Sequence, residues 1–266
     1  MDGLAVMRPL AELKPDRIRG LFFDIDDTLT TEGRLTARAY AALERWKAAG
    51  RIAVPVTGRP AGWCDHIARM WPVDAVVGEN GAFYFRFDPV RRKLAKRFLL
   101  DEATRAANRA RLADVRDRIL AAVPGSALAS DQQYREADLA IDFCEDVPAL
   151  GLAQAERIAS IMRNAGMTAK ISSIHVNGWF GDYDKLGMTK ILARECFGLE
   201  LDSTQAQFAF AGDSPNDSPM FEYFQNSVGV ANVRRFEGML AAAPAYVAQG
   251  ESGAGFAEVV ARLLGD

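Results

Sequence analysis

The chain has 266 residues, 49% of them hydrophobic and 25% charged, with a formal net charge of −3. This is globular usage with ample apolar material for one or two cored domains, and so small a charge gives no global electrostatic case for a nucleic-acid partner. Cys64, Cys144 and Cys196 form no CxxC pair and only two histidines accompany them, which excludes a zinc-site pattern and suits a reduced cytoplasm. The first 19 residues carry Asp2, Glu12, Asp16 and two prolines, and no apolar run approaches the ~20 residues of a membrane span, so a soluble, unprocessed cytoplasmic protein is expected.

Residues 21–23 read as a buried strand that runs straight into Asp24 and Asp26. Burying carboxylates is costly unless a cation or a hydrogen-bond network compensates. Residues i and i+2 of an extended segment point the same way, so the two acids can face one reacting centre, one as nucleophile and the other as acid or base. Thr36 is placed to cap a helix with Tyr40, Leu43 and Trp46 on one face, and Gly50 to end it. A second strand is expected over 52–56, before Thr57, although Pro55 lacks the amide that a central strand uses. A third, over 75–77, leads into Gly78-Glu79-Asn80.

From about residue 83 the pattern changes. A hairpin is expected over 83–98 around Asp88-Pro89, then a charged helix over 101–122 ended by Pro124-Gly125. A strand over 137–144, a helix capped by Asp146 and running to about 165, and one strand over 167–176 complete an α+β unit spanning 85–181. The chain then returns through a helix over 186–197, stopped by Gly198, to an apolar strand over 208–211. The expected fold class is α/β, a Rossmann-like, doubly wound parallel sheet interrupted by an inserted unit, with ligands at the carboxyl ends of its strands.

Polar residues collect at those ends. Gly212-Asp213-Ser214-Pro215-Asn216-Asp217 adds two acids that could lie beside Asp24, and hard oxygen ligands with few histidines suit Mg²⁺. Thr57-Gly58-Arg59 offers a hydroxyl and a glycine where an anion can approach the backbone, ahead of a helix N-terminus. Lys185 begins the first helix after the insert and is a candidate partner for the nucleophile and a phosphate, with Lys190 as its rival. Arg59, Trp63, His66, His175, Asn177, Trp179 and Tyr183 are candidates for contact with the rest of a substrate.

Asp24-Ile25-Asp26-Asp27-Thr28, Thr57-Gly58-Arg59, Lys185 and Gly212-Asp213-Ser214-Pro215-Asn216-Asp217, in that order, resemble the four motifs of the haloacid dehalogenase superfamily of phosphohydrolases. Glu79-Asn80-Gly81-Ala82 and the position of the insert resemble its type IIB branch, with a large α/β cap, which includes sugar phosphatases and phosphomannomutases. Asp184-Lys185-Leu186-Gly187 departs from the commoner lysine-glycine pair by one residue. The resemblance implies a core over 1–84 and 182–266 and a cap over 85–181. It also implies that Asp24 attacks phosphorus and ligates Mg²⁺, that Asp26 is acid and base and offers its backbone carbonyl to the metal, and that Asp213 and Asp217 complete the metal site. Thr57, Gly58, Arg59, Lys185 and Asn216 would then hold the substrate. The activity so implied is Mg²⁺-dependent hydrolysis of a phosphomonoester, with a small phosphorylated metabolite such as a sugar phosphate as partner. A sugar phosphomutase and a non-catalytic protein of the same fold are the alternatives, and oligomeric state is left open.

Overall fold

The computed structural model describes residues 7–14 and 16–266; residues 1–6 and Pro15, part of the segment expected to remain unprocessed, lie outside it. The chain opens with β1 (Arg8–Pro9), β2 (Gly20–Phe23), α1 (Ala37–Ala48), β3 (Ile52–Pro55), α2 (Ala61–Met70) and β4 (Val76–Gly78). The hairpin β5 (Phe83–Asp88) and β6 (Lys93–Phe98) follows, then α3 (Glu102–Ala122), β7 (Ala127–Leu128), β8 (Asp138–Asp142), α4 (Leu152–Asn164), β9 (Thr168–Ile171) and β10 (His175–Trp179). The last part holds α5 (Lys185–Phe197), α6 (Leu201–Thr204), β11 (Phe208–Gly212), α7 (Ser218–Tyr223), β12 (Asn226–Gly229), β13 (Tyr246–Val247) and α8 (Ser252–Leu264).

Six strands form a parallel sheet in the order β1-β13-β12-β11-β2-β3. Its strands are apolar throughout because both faces are covered. Leu21 and Phe23 of β2 face a core with Leu43 and Trp46 of α1 and Phe256 of α8, whereas Phe22 between them faces Met188 and Leu192 of α5 and Phe224. The two-residue period of the strand thus divides one short apolar run between two helical layers. Each phenylalanine buried this way contributes roughly 1.5–3 kcal/mol. Thr36 caps α1 by accepting from Ala39 N, and Gly198 ends α5 in the left-handed region with φ 65°.

Pro55 fits the sheet because of the side it faces. Ile52 N and Val56 N donate to Arg19 O and Phe23 O on the β2 side, while Ala53 N and Thr57 N turn the other way, to Asp74 Oδ2 and Val77 O. By alternation the missing amide of Pro55 faces away from β2, where β4 makes only the single parallel bridge Val56–Val77. Beyond that bridge, β4, β5 and β6 form a three-stranded antiparallel sheet, so the hairpin is bonded to the edge of the parallel sheet.

The inserted unit has its own antiparallel sheet, β7-β8-β10-β9, covered by α3 and α4. Two expectations need correction here. Asp146 does not cap α4, which begins at Leu152 after Gly151; Asp146 instead accepts from Ser130 Oγ at 2.8 Å. The organising acid is Asp142, whose carboxylate takes the amides of Cys144, Glu145 and Asp146 and holds the chain in a turn. The single strand expected over 167–176 is two strands, since the chain reverses between Ser172 and His175, with Ser172 N donating to His175 O. No described helix is long and apolar enough to cross a membrane.

Candidate active site

Adjacent parallel strands deliver the acids side by side. β2 and β11 are paired with Ala211 opposite Phe23, and Asp24 N donates to Ala211 O at 2.9 Å, so Asp24 and Asp213 leave neighbouring strand ends. A tight turn brings Asp217 back, its Oδ2 accepting from Asp213 N at 3.0 Å and Ser214 N at 3.4 Å. Gly212 is required there, because a Cβ on it would lie 2.4 Å from Asp217 Oδ2. Lys185 is the first residue of α5, whose N-cap Asp184 accepts from Gly187 N. Gly81, at φ 107°, lets that helix start approach: a Cβ on it would stand 2.0 Å from Asp184 O.

The resulting cluster is buried. Lys185 Nζ donates to Asp24 Oδ1 at 2.8 Å and to Asp217 Oδ1 at 2.7 Å. Asp24, Asp213 and Asp217 bring ligand oxygens within 4.8 Å of one another. Thr28 Oγ1 donates to Asp213 Oδ1 at 3.2 Å and Asn232 Nδ2 to Asp213 Oδ2 at 3.3 Å. Burial pushes the Asp24 carboxyl up to about 7, opposed by Lys185 and reinforced by Asp217 and Asp26. Burial, followed by Asp24 and Asp217, drives Asp213 well above the carboxylate range. For Lys185 burial works against the charge but is outweighed by Asp217 and Asp24, so it stays protonated.

Asp26 is turned elsewhere. Its two carboxylate oxygens accept from Arg59 Nε at 2.9 and 3.0 Å, and Arg59 Nη2 lies 2.8 Å from Oδ1. The same guanidinium reaches Glu145 at 2.6 Å and Asp131 at 3.4 Å in the inserted unit, so Arg59 ties the strand end to the structure above it.

A family model described as haloacid dehalogenase-like hydrolase matches residues 21–104. The segment starts at β2 and contains Asp24, Asp26 and Thr57-Gly58-Arg59 on the fold just described. Over those residues the chain is similar to the haloacid dehalogenase-like hydrolases. Among solved structures, a Thermoplasma acidophilum protein is similar at 17% identity and a TM-score of 0.68, over 93% of this chain and 98% of that one. The sucrose-phosphatase of Synechocystis sp. PCC6803, in complex with sucrose and phosphate, is similar at 16% identity and a TM-score of 0.61, over 93% and 98%. A subclass IIB sugar phosphatase of the haloacid dehalogenase superfamily follows at 15% and 0.55, over 86% and 93%. At these identities the likeness is one of fold. Comparison with curated proteins finds no match.

The remaining candidates separate by position. Thr57 is buried, and its Oγ1 accepts from Arg59 N at 3.0 Å. Gly58 and Asn216 both lie against Asn80. Lys190 is at the surface with Asp202 at 2.6 Å, so of the two lysines Lys185 reaches the cluster. Trp179 packs, stacked on Tyr183 with Nε1 donating to Tyr183 O. His175 Nε2 lies 2.9 Å from Glu145 Oε2, and Asn177 Nδ2 donates to Asp138. Trp63 lies beneath Arg59, 4.3 Å from the guanidinium carbon, and lines with His66 and Tyr134 a cavity of about 530 Å³. Sequence reasoning missed Asn232, Asp131, Arg135 and Glu145, which belong to no local motif; Glu79 and Asn80 were visible only as part of one.

Proposed function

We propose that the chain is a Mg²⁺-dependent phosphatase that hydrolyses a phosphomonoester of a sugar or similar small metabolite through an aspartyl phosphate on Asp24. The observation that carries this reading is Lys185 held between Asp24 and Asp217 with Asp213 beside them. Three buried carboxyl groups against one ammonium would carry an excess of negative charge once ionised, and a cluster of carboxylate oxygens fits a hard divalent cation that takes the place of the protons. Asp24, Asp213 and Asp217, with the backbone carbonyl of Asp26, would hold Mg²⁺, which when bound neutralises those acids and polarises the phosphoryl oxygens.

The protein's own groups supply the steps. Lys185, Thr57 and Gly58 hold the phosphoryl group, with Asn216 orienting it, while a carboxylate oxygen of Asp24 bonds to phosphorus and the bond to the leaving oxygen breaks. Asp26, as the acid, gives that oxygen its proton. As the base it then takes a proton from water, whose oxygen attacks phosphorus, freeing phosphate and restoring Asp24. Arg59 occupies both oxygens of Asp26, so proton transfer requires the guanidinium to yield one of them, and an incoming phosphate is the competing anion. The core spans 1–84 and 182–266 and the unit over 85–181 acts as a cap. Its Glu145 and Asp131 pair with Arg59 and its His175 lies against Glu145, a polar set that suits a hydroxyl-rich leaving group, and two neighbours of the same fold are phosphatases of sugars.

Phosphate release from a panel of sugar phosphates and p-nitrophenyl phosphate, with and without Mg²⁺, tests the reading. Metal-dependent release that Asp24→Asn abolishes is expected. Isomerisation without release would replace it with a mutase, and no turnover of any phosphoester would overturn it.

A further inference from the structure

Glu79-Asn80 lies within a sequence motif to which the proposed reaction gives no role. Both residues sit in the left-handed region, with φ of 42° and 54°, an unfavourable place for two consecutive residues with side chains. Such a conformation persists where the surroundings over-determine it. Here Glu79 N donates to Arg59 O at 3.1 Å and Asn80 N to Thr57 O at 3.0 Å, so the pair grips the carbonyls of Thr57-Gly58-Arg59. A peptide unit is planar and trans. Tying the Thr57 carbonyl to Asn80 therefore turns the Gly58 N–H away from Asn80 N.

The Asn80 side chain carries a second signal. The residue is 2% exposed, yet its Nδ2 has no partner among the described residues. A chain of hydrogen bonds sets its orientation: Ser214 Oγ donates to Asn216 Oδ1 at 2.8 Å, and Asn216 Nδ2 donates to Asn80 Oδ1 at 3.4 Å, which leaves Asn80 Nδ2 as the free end. That end lies over Gly58, where an added Cβ would come within 3.1 Å of it. A buried donor without an acceptor forfeits its hydration with no hydrogen bond in return. The groups around it, Gly58 and Asn216, are the ones already assigned to the phosphate.

We propose that Asn80 is a phosphate-binding residue whose Nδ2 donates to a phosphoryl oxygen held over Thr57-Gly58. This rests on the reading of the strand-end cluster as a phosphatase site. With phosphate bound, Asn80 Nδ2 gains its acceptor, and the cost of holding Glu79 and Asn80 left-handed is met by the oriented loop.

Inorganic phosphate is the probe, measured as an inhibitor of p-nitrophenyl phosphate turnover in Mg²⁺. Asn80→Gly keeps the left-handed backbone and removes the donor; Asn80→Asp keeps the shape and replaces the donor with an anion. The inhibition constant is expected to rise about tenfold or more in the first, as for loss of one hydrogen bond to a charged group, and further in the second, with little change in thermal midpoint. An unchanged constant in both variants overturns the proposal while wild-type turnover leaves the phosphatase reading standing. A wild-type protein that neither hydrolyses the ester nor binds phosphate overturns both. Should the variants fail to fold, the side-chain amide resonances of Asn80 in the wild type decide: they shift on saturation with phosphate, and resonances that stay in place refute the contact.

Discussion

Lys185 and Lys190 lie on the same helix, yet one ends in the acidic cluster and the other at the surface, because five residues separate them by roughly 140° around the axis. Lys185 is flanked by two buried carboxylates, and removing it would leave Asp24 and Asp217 facing each other. Lys185→Met is therefore expected to cut kcat/KM at least about a hundredfold and to cost about 3 kcal/mol or more in urea unfolding. Lys190 pairs with an exposed Asp202, so Lys190→Ala should leave both measurements within about 0.5 kcal/mol of the parent. Equal losses in the two variants would remove Lys185 from its assigned place. The identity of this lysine was not legible in the local sequence, where either fits a helix near the insert.

The joint between the inserted unit and the parallel-sheet body is built from two reciprocal anchors. Glu79, fully buried, accepts from Ala61 N at 3.0 Å on α2 and from Glu136, Ala137 and Asp138 N at 2.9, 2.6 and 3.2 Å leading into β8. Arg135 answers from the other side, donating to Gly58 O at 2.8 Å while Asp131 and Asp138 hold its guanidinium. Burial pushes the Glu79 carboxyl up to about 8, with Asp138 adding to it and Arg135 and the amides opposing. Glu79→Gln places an NH₂ group against backbone donors, and a loss of about 2–3 kcal/mol is expected in urea unfolding. A neutral result would show that the joint does not depend on this carboxylate. None of these partners is near Glu79 in sequence, whereas α3 was legible from its charged run and its terminating Pro124-Gly125, and the structure adds Asp101 as its cap, accepting from Thr104 N.

The folded molecule holds acids that the unfolded chain would ionise more readily. Asp24 is raised from its ordinary 3.8 to about 7, chiefly by burial. Between those values the folded state keeps a proton that the unfolded state releases, so its contribution to stability is fully present below pH ~4 and is lost as pH rises through about 7. In metal-free protein, Asp24→Asn should therefore show a flatter dependence of thermal midpoint on pH between 4 and 8 than the parent. Added Mg²⁺ should raise the parent's midpoint more at pH 8 than at pH 5, since the cation takes the place of protons on the cluster. Parallel pH curves for the two proteins would show that Asp24 titrates alike in both states.

Local order was determined by the sequence itself: apolar runs that end in acids, Thr36 and Asp101 as caps, Gly198 as a stop, and the alternation of strands with helices that leads to a parallel sheet. Each of these signals acts over a few residues, through backbone sterics or side-chain periodicity, and survives whatever the rest of the chain does. Tertiary structure alone decided that Asp26 faces Arg59, that Asn232 and Thr28 hold Asp213, and that Glu79 fastens the inserted unit. Those partners lie tens to hundreds of positions apart, and only strand register and burial bring a donor within reach of a particular carboxylate. The reversal at Ser172–His175 is the intermediate case: the alternation of Met167, Ala169 and Ile171 slips by one residue at Ser172-Ser173 and resumes at Ile174 and Val176, and only pairing with β8 and β9 shows where one strand ends and the next begins.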